Sequence, residues 1–142
     1  MDAKLLRAVQ LTQLDMAKEL KKICERHQIP YFLDCGSLLG AVRHQGFIPW
    51  DDDMDFGMMR EDYERFLQLA EKELPPELFL QTIETDNGYG YAYAKIRMRD
   101  SLYLERVTQN SIENHGIFID IYPYDALPDA VKDRKKLYRK LT

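Results

Sequence analysis

The sequence predicts one domain of the α/β or α+β class, a mixed β-sheet packed by helices. Three observations carry this prediction. Apolar residues recur at helical spacing in two long segments; short runs elsewhere alternate apolar and polar residues; and the segments follow the order α-β-α-β-α-β-β-β-α.

The first ~25 residues hold Leu6, Val9, Met16, Leu20, Ile23 and Cys24 on one stripe, interrupted at Gln13, and Pro30 marks the end of this segment. Residues 31–35 are a short aromatic and apolar run suited to a buried strand. It leads into Gly36-Ser37 and then a short helix over residues 38–46, closed by Gly46. After the acidic run 51–55, a second long helix starts at Glu61, with Tyr63, Phe66, Leu67, Ala70 and Leu74 in register and Pro75-Pro76 as its stop. Three strands are predicted at residues 78–84, 91–99 and 116–122, divided by Asp86-Asn87-Gly88 and Asn114-His115-Gly116. Residues 129–142 read as a basic helix.

Composition narrows the function classes. A chain of 142 residues is one domain by length, and such a chain buries roughly 68–70% of its unfolded surface. Hydrophobic residues at 45% and charged residues at 31% are globular values, which argues against disorder. A net charge of −4 argues against nucleic acid as a partner, because phosphate binding needs surplus cations. No apolar run approaches the ~20 residues of an integral membrane span. The basic stretch 132–140 leaves room for peripheral contact with anionic lipid, although a solvated helix face is the simpler reading. Two cysteines, Cys24 and Cys35, form no disulfide framework and suit a reducing, cytoplasmic setting.

The acidic run carries the chemistry. Asp51, Asp53 and Asp55 share parity, so on an extended backbone they point to one face while Met54 and Phe56 point to a core. Like charges so placed repel unless a cation lies between them, and hard divalent ions take carboxylate oxygens. A solvated acidic turn is the plainer alternative. Asp120 sits within an otherwise apolar strand, opposite the face of Ile117, Ile119 and Ile121. An ionised carboxylate there is costly to bury unless paired or on a metal, so either its strand is a wet edge or it lies beside the strand of Asp53 and Asp55. Gly36-Ser37 at a helix start offers amides and a hydroxyl to a phosphate, or is an ordinary cap. Lys95, mid-strand beside Tyr91 and Tyr93, and Arg43, ahead of the acidic run, are the candidate cations for a diphosphate. Arg97 and Arg99 fit the wet face of a sheet; His44 and His115 read as incidental loop histidines, and Tyr122 and Tyr124 as packing residues.

Residues 36–55, from Gly36-Ser37 through Arg43 to Asp53-Met54-Asp55, resemble the signature of the LicD family. That family includes bacterial phosphorylcholine transferases and fukutin-related proteins, within the nucleotidyltransferase-fold superfamily. The strand with Asp120 and the segment with Lys95 resemble two further family strands. The resemblance implies a nucleotidyltransferase-like sheet, with Asp53, Asp55 and Asp120 as catalytic acids and ligands of Mg2+ or Mn2+. It implies that Gly36 and Ser37 hold donor phosphate, assisted by Arg43 and Lys95. The implied reaction moves a phospho-alcohol, phosphocholine-like, from a CDP-alcohol to a sugar hydroxyl of a cell-surface glycan or glycolipid such as lipopolysaccharide or teichoic acid, releasing CMP. It would run in the cytoplasm or at the inner face of the membrane. Family members usually continue further, so the resemblance implies a single domain over 1–142 that is truncated at its C-terminus or unusually short. The rival readings are an Asp-x-Asp nucleotide-sugar glycosyltransferase, a nucleotidyl transferase of the same fold, and a catalytically incomplete metal- and nucleotide-binding module.

Overall fold

A computed structural model of the chain describes residues 2–141. Its elements run α1 (Ala3–His27), β1 (Phe32–Leu33), α2 (Cys35–His44), β2 (Asp55–Met59), α3 (Arg60–Glu73), β3 (Leu78–Gln81), β4 (Ala94–Met98), β5 (Phe118–Tyr124) and α4 (Val131–Leu141). The order is the one the sequence predicts. Most bounds differ at the ends, because caps and turns decide them. The Asp2 side chain accepts from Leu5 N–H at 2.8 Å to open α1, and Gln28 closes it in the left-handed conformation, two residues before Pro30. Asp34 accepts from Cys35 N–H at 2.8 Å, so α2 opens at Cys35 and Gly36-Ser37 lie inside its first turn.

Five strands form one sheet in the order β1-β2-β5-β4-β3. β2 and β5 are parallel; the other neighbours are antiparallel. The sheet is therefore mixed, with its parallel pair at the centre. One face is apolar: Phe56 and Met58 of β2, Ile119 and Ile121 of β5, Ala94 and Ile96 of β4, and Leu78 and Leu80 of β3 are all buried. Met16, Leu20 and Ile23 of α1 and Tyr63, Phe66 and Ala70 of α3 complete this core. Burial of such side chains contributes about 1.5–3 kcal/mol each.

The opposite face is polar, yet also covered. Asp55, Asp120, Lys95 and Gln81 form a single row across four strands, each the register partner of the next. The segment 99–117 lies over this face, held where Tyr103 N–H donates to His115 O and Met98 N–H to Ile117 O. Arg97 corrects the sequence reading. It is fully buried beneath this segment, donating to Gln81 Oε1 and Gly116 O at 2.8 Å each, with its guanidinium 4.8 Å from the centre of the Phe118 ring. Arg99 is exposed as expected, over the Phe79 ring. Among the described residues no helix is long and apolar enough to cross a membrane.

Candidate active site

The site is built where β2 and β5 run side by side. Their register sets Asp55 opposite Asp120, and Asp120 N–H donates to Met54 O at 2.9 Å, which ties the start of β2 to β5. Only Asp55 of the acidic run belongs to the strand; residues 51–54 precede it in irregular conformation. The alternation expected for Asp51 and Asp53 is therefore replaced by a loop, and two glutamines of α1 shape that loop. Gln10 Nε2 donates to Asp51 O at 2.8 Å, and Gln13 Nε2 donates to Asp52 O at 2.8 Å and to Phe118 O at 3.1 Å. Gln13 interrupts the apolar stripe because its amide is needed there.

The carboxylates crowd without enough counter-charge. Asp51, Asp52 and Asp53 bring one oxygen each within 4.8 Å of one another. Burial pushes Asp53 up to about 6, helped by Asp51 and Asp52, and pushes Asp55 up to about 7, helped by Asp53 and Asp120. Burial also raises Asp120, against the pull of Lys95. Lys95 is buried, with Nζ 2.8 Å from Asp120 Oδ1 and 3.8 Å from Glu105 Oε2. The contact to Asp120 is an ion pair out of hydrogen-bonding alignment. Asp55 Oδ1 is buried and meets no hydrogen-bond donor. A buried carboxylate oxygen without a partner is what a divalent cation satisfies, so the residues present fit one.

Ser37 faces the acids. Its Oγ accepts from Asp55 N–H at 2.8 Å, which joins the first turn of α2 to β2 and leaves the hydroxyl proton free to donate. At Gly36 the helix comes so close to the acidic loop that a Cβ would lie 2.5 Å from Asp51 Oδ2, so any larger residue must displace that side chain. The first-turn amides of α2 thus stand beside the acidic loop, where a phosphate would find donors. Arg43 is not brought in. It is exposed in the last turn of α2, about 10 Å along the helix from Gly36. His44 packs edge-on against Trp50 and His115 Nε2 lies 3.3 Å from Ser111 O, so neither meets the acids.

The structure adds Tyr103 and Glu105, which the sequence did not single out, and gives Tyr122, read from the sequence as a packing residue, a polar contact. Tyr103 donates to Asp52 Oδ2, and with Asp53, Glu105, Arg106 and Phe118 it lines a cavity of about 330 Å³ beside the acids. Tyr122 Oη lies 3.3 Å from Asp120 Oδ2. Tyr122 shares parity with Asp120, a signal present in the sequence; Tyr103 and Glu105 come from an irregular segment with no periodicity to read.

Residues 28–140 match the family model described as LicD/FKTN/FKRP, nucleotidyltransferase domain. The chain belongs to the LicD family. The match includes Gly36-Ser37, the acidic run, Lys95 and Asp120. Among relatives, the chain is 35% identical over 135 residues to the lipopolysaccharide cholinephosphotransferase LicD of Haemophilus influenzae, covering 95% of this chain and 50% of that protein. It is 41% identical over 110 residues to the mouse ribitol 5-phosphate transferase FKRP, covering 78% of this chain and 20% of the relative. The chain thus spans half the length of the first relative and a fifth of the second. LicD-family membership and the mixed sheet agree with the resemblance carried by residues 36–55.

Proposed function

We propose that the chain carries the catalytic centre of a metal-dependent transferase that moves a phospho-alcohol from a CDP-alcohol to a sugar hydroxyl of a cell-surface glycan, releasing CMP. The orphaned, buried oxygen of Asp55, in register with Asp120, carries the reading. The relatives named as phosphocholine and ribitol phosphate transferases support it.

Asp53, Asp55 and Asp120 would hold Mg2+ or Mn2+, whose charge, when bound, offsets that of the donor's phosphate oxygens. Ser37 Oγ–H and the first-turn amides of α2 would bind and orient the diphosphate. Lys95 holds Asp120 in place and supplies a buried positive charge next to the reacting phosphoryl group. A nucleoside diphosphate lying along α2 would bring Arg43 into range. Glu105 and Tyr103 line the cavity beside Asp53. The charge of the site favours this chemistry over nucleic-acid binding, since its unmetallated walls are acidic.

The test follows CMP release from CDP-choline while magnesium is titrated into the wild type and the Asp53→Asn/Asp55→Asn variant. We expect the variant to lose at least about 10²-fold in turnover, the scale of a lost electrostatic contribution to phosphoryl transfer. Turnover without added metal, or undiminished in the variant, removes the site assignment.

A further inference from the structure

The cavity of about 330 Å³ between the acidic loop and the segment 99–117 has no role yet, and its volume is at the small end for a ligand site. It stands across the acids from the start of α2. Along the polar face, α2 reaches Asp55 on β2 through Ser37 Oγ. Asp120 on β5 and Lys95 on β4 follow in the row, and Glu105 lies over Lys95. A transferred phosphoryl group passes between two oxygens that are roughly in line. With the donor's diphosphate held at the start of α2 and CMP leaving on that side, the attacking oxygen comes from the side of the cavity.

An attacking hydroxyl has a proton to lose, and the carboxylates around it are not equally free to take one. Asp53, Asp55 and Asp120 are the acids that would hold the metal. Asp51 lies on the other side, against the first turn of α2 at Gly36. Asp52 Oδ2 accepts from Tyr103. Glu105 remains. Its carboxylate makes no hydrogen bond among the described residues; Lys95 Nζ at 3.8 Å and Arg97 Nη2 at 3.9 Å from Oε2 stand beyond that distance. Both cations are buried and held from elsewhere, Lys95 by Asp120 at 2.8 Å and Arg97 by Gln81 and Gly116 at 2.8 Å each. They fix where the carboxylate sits without occupying its oxygens. The Glu105 side chain is 33% exposed, which gives it a path to water.

From this arrangement we infer that the cavity receives the acceptor's hydroxyl and that Glu105 is the general base that takes its proton. The inference rests on the proposed transferase reading and adds to it the seat of the second substrate and the group that activates it. In the step, the hydroxyl oxygen bonds to the phosphorus of the phospho-alcohol while its proton passes to a Glu105 carboxylate oxygen. The bond from that phosphorus to the bridging oxygen breaks, and its electron pair leaves with CMP. Glu105 then releases the proton to water at the cavity mouth.

The test follows CMP release from CDP-choline by the full chain with magnesium, with water entering the cavity as the nucleophile. Glu105→Ala and Glu105→Gln should each lose at least about 10²-fold in kcat, the low end for a lost general base. Both should keep the wild-type affinity for CDP-choline by calorimetry with magnesium, which reports an intact fold and donor site. Formate, a carboxylate small enough for the space vacated in Glu105→Ala, should restore part of that variant's rate. It should restore nothing in Glu105→Gln, where the amide fills the space; a purely structural role for Glu105 would not produce this difference. Undiminished kcat in either variant, a loss in Glu105→Ala that formate does not repair, or lost donor affinity overturns the inference and leaves the transferase reading standing. Wild type that releases no CMP overturns that reading, and the inference with it.

Discussion

The two faces of the sheet are equally dry and chemically opposite. On one, Phe56, Ile119 and Ile96 meet α1 and α3 at 3% exposure or less; on the other, Asp55, Asp120 and Lys95 sit at 5% or less on the same three strands. Burial stabilises the first face directly, because apolar surface leaves water. Burial of the second removes water from charges that the protein only partly replaces, leaving Asp55 Oδ1 and one nitrogen of Arg97 without hydrogen-bond partners. One face holds the fold together, and the other is held in place by it. Stability and site assembly should therefore respond in opposite directions to changes on the two faces.

The largest effect belongs to the apolar face. Phe66 is fully buried between α3 and the sheet. Phe66→Ala should cost about 3–5 kcal/mol, the range for an aromatic removed from a packed core. Urea unfolding measures this, and a loss under about 1 kcal/mol would break the assignment of this face as the main source of stability.

The polar face should show the reverse sign. Asp53 and Asp55 are raised to about 6 and 7 in the folded protein, whereas unfolded aspartates titrate near 4. Between about pH 4 and 7 the folded state therefore binds more protons than the unfolded one, so the metal-free protein loses stability as pH rises through that window. The loss should be on the order of 2 kcal/mol, and magnesium should reverse it at pH 8 but not at pH 5. Thermal melts with chelator and with magnesium at both pH values check this. Asp55→Asn, which removes the charge and keeps the shape, should flatten the pH dependence and raise the melting temperature of the metal-free protein. An unchanged slope in that variant would show that other groups carry it.

The same contrast explains what the sequence made legible. Apolar periodicity is a local signal, so α1, α3 and the alternation around Asp120 are read directly from residue types. The pairing of Asp55 with Asp120 follows from alternation plus the expectation of adjacent strands. The face of Arg97 does not. Alternation places it opposite Ile96 and Met98, but whether that face is wet depends on residues 99–117, whose path has no period to read. Lys95 was legible as a candidate cation by its position mid-strand next to Tyr91 and Tyr93, whereas its ion pair with Asp120 required the antiparallel register of β4 and β5. The end of α2 carries a comparable limit. Arg43 is near Asp51 in sequence, yet the helix carries it away from Gly36.

Gln13 is where the two faces touch, and it predicts the smallest effect on stability with a disproportionate effect on the site. It lies in the apolar stripe of α1 at 1% exposure, between Met16 and Val9 in helical register, and its Nε2 donates to Asp52 O and Phe118 O. Gln13→Leu preserves volume and adds apolar surface against the core, while leaving two carbonyls without a donor. These terms oppose each other, so the net cost should be about 1 kcal/mol. The acidic loop, however, loses the bridge from Asp52 through Gln13 to β5, so that Asp120 N–H to Met54 O is left to tie it to that strand and Asp53 is held less firmly. Magnesium affinity, followed by its effect on the melting temperature, should fall by about tenfold, the scale of a lost supporting hydrogen bond around metal ligands. Equal losses of stability and metal affinity in Gln13→Leu would mean that the apolar core alone, without this bridge, positions the acids.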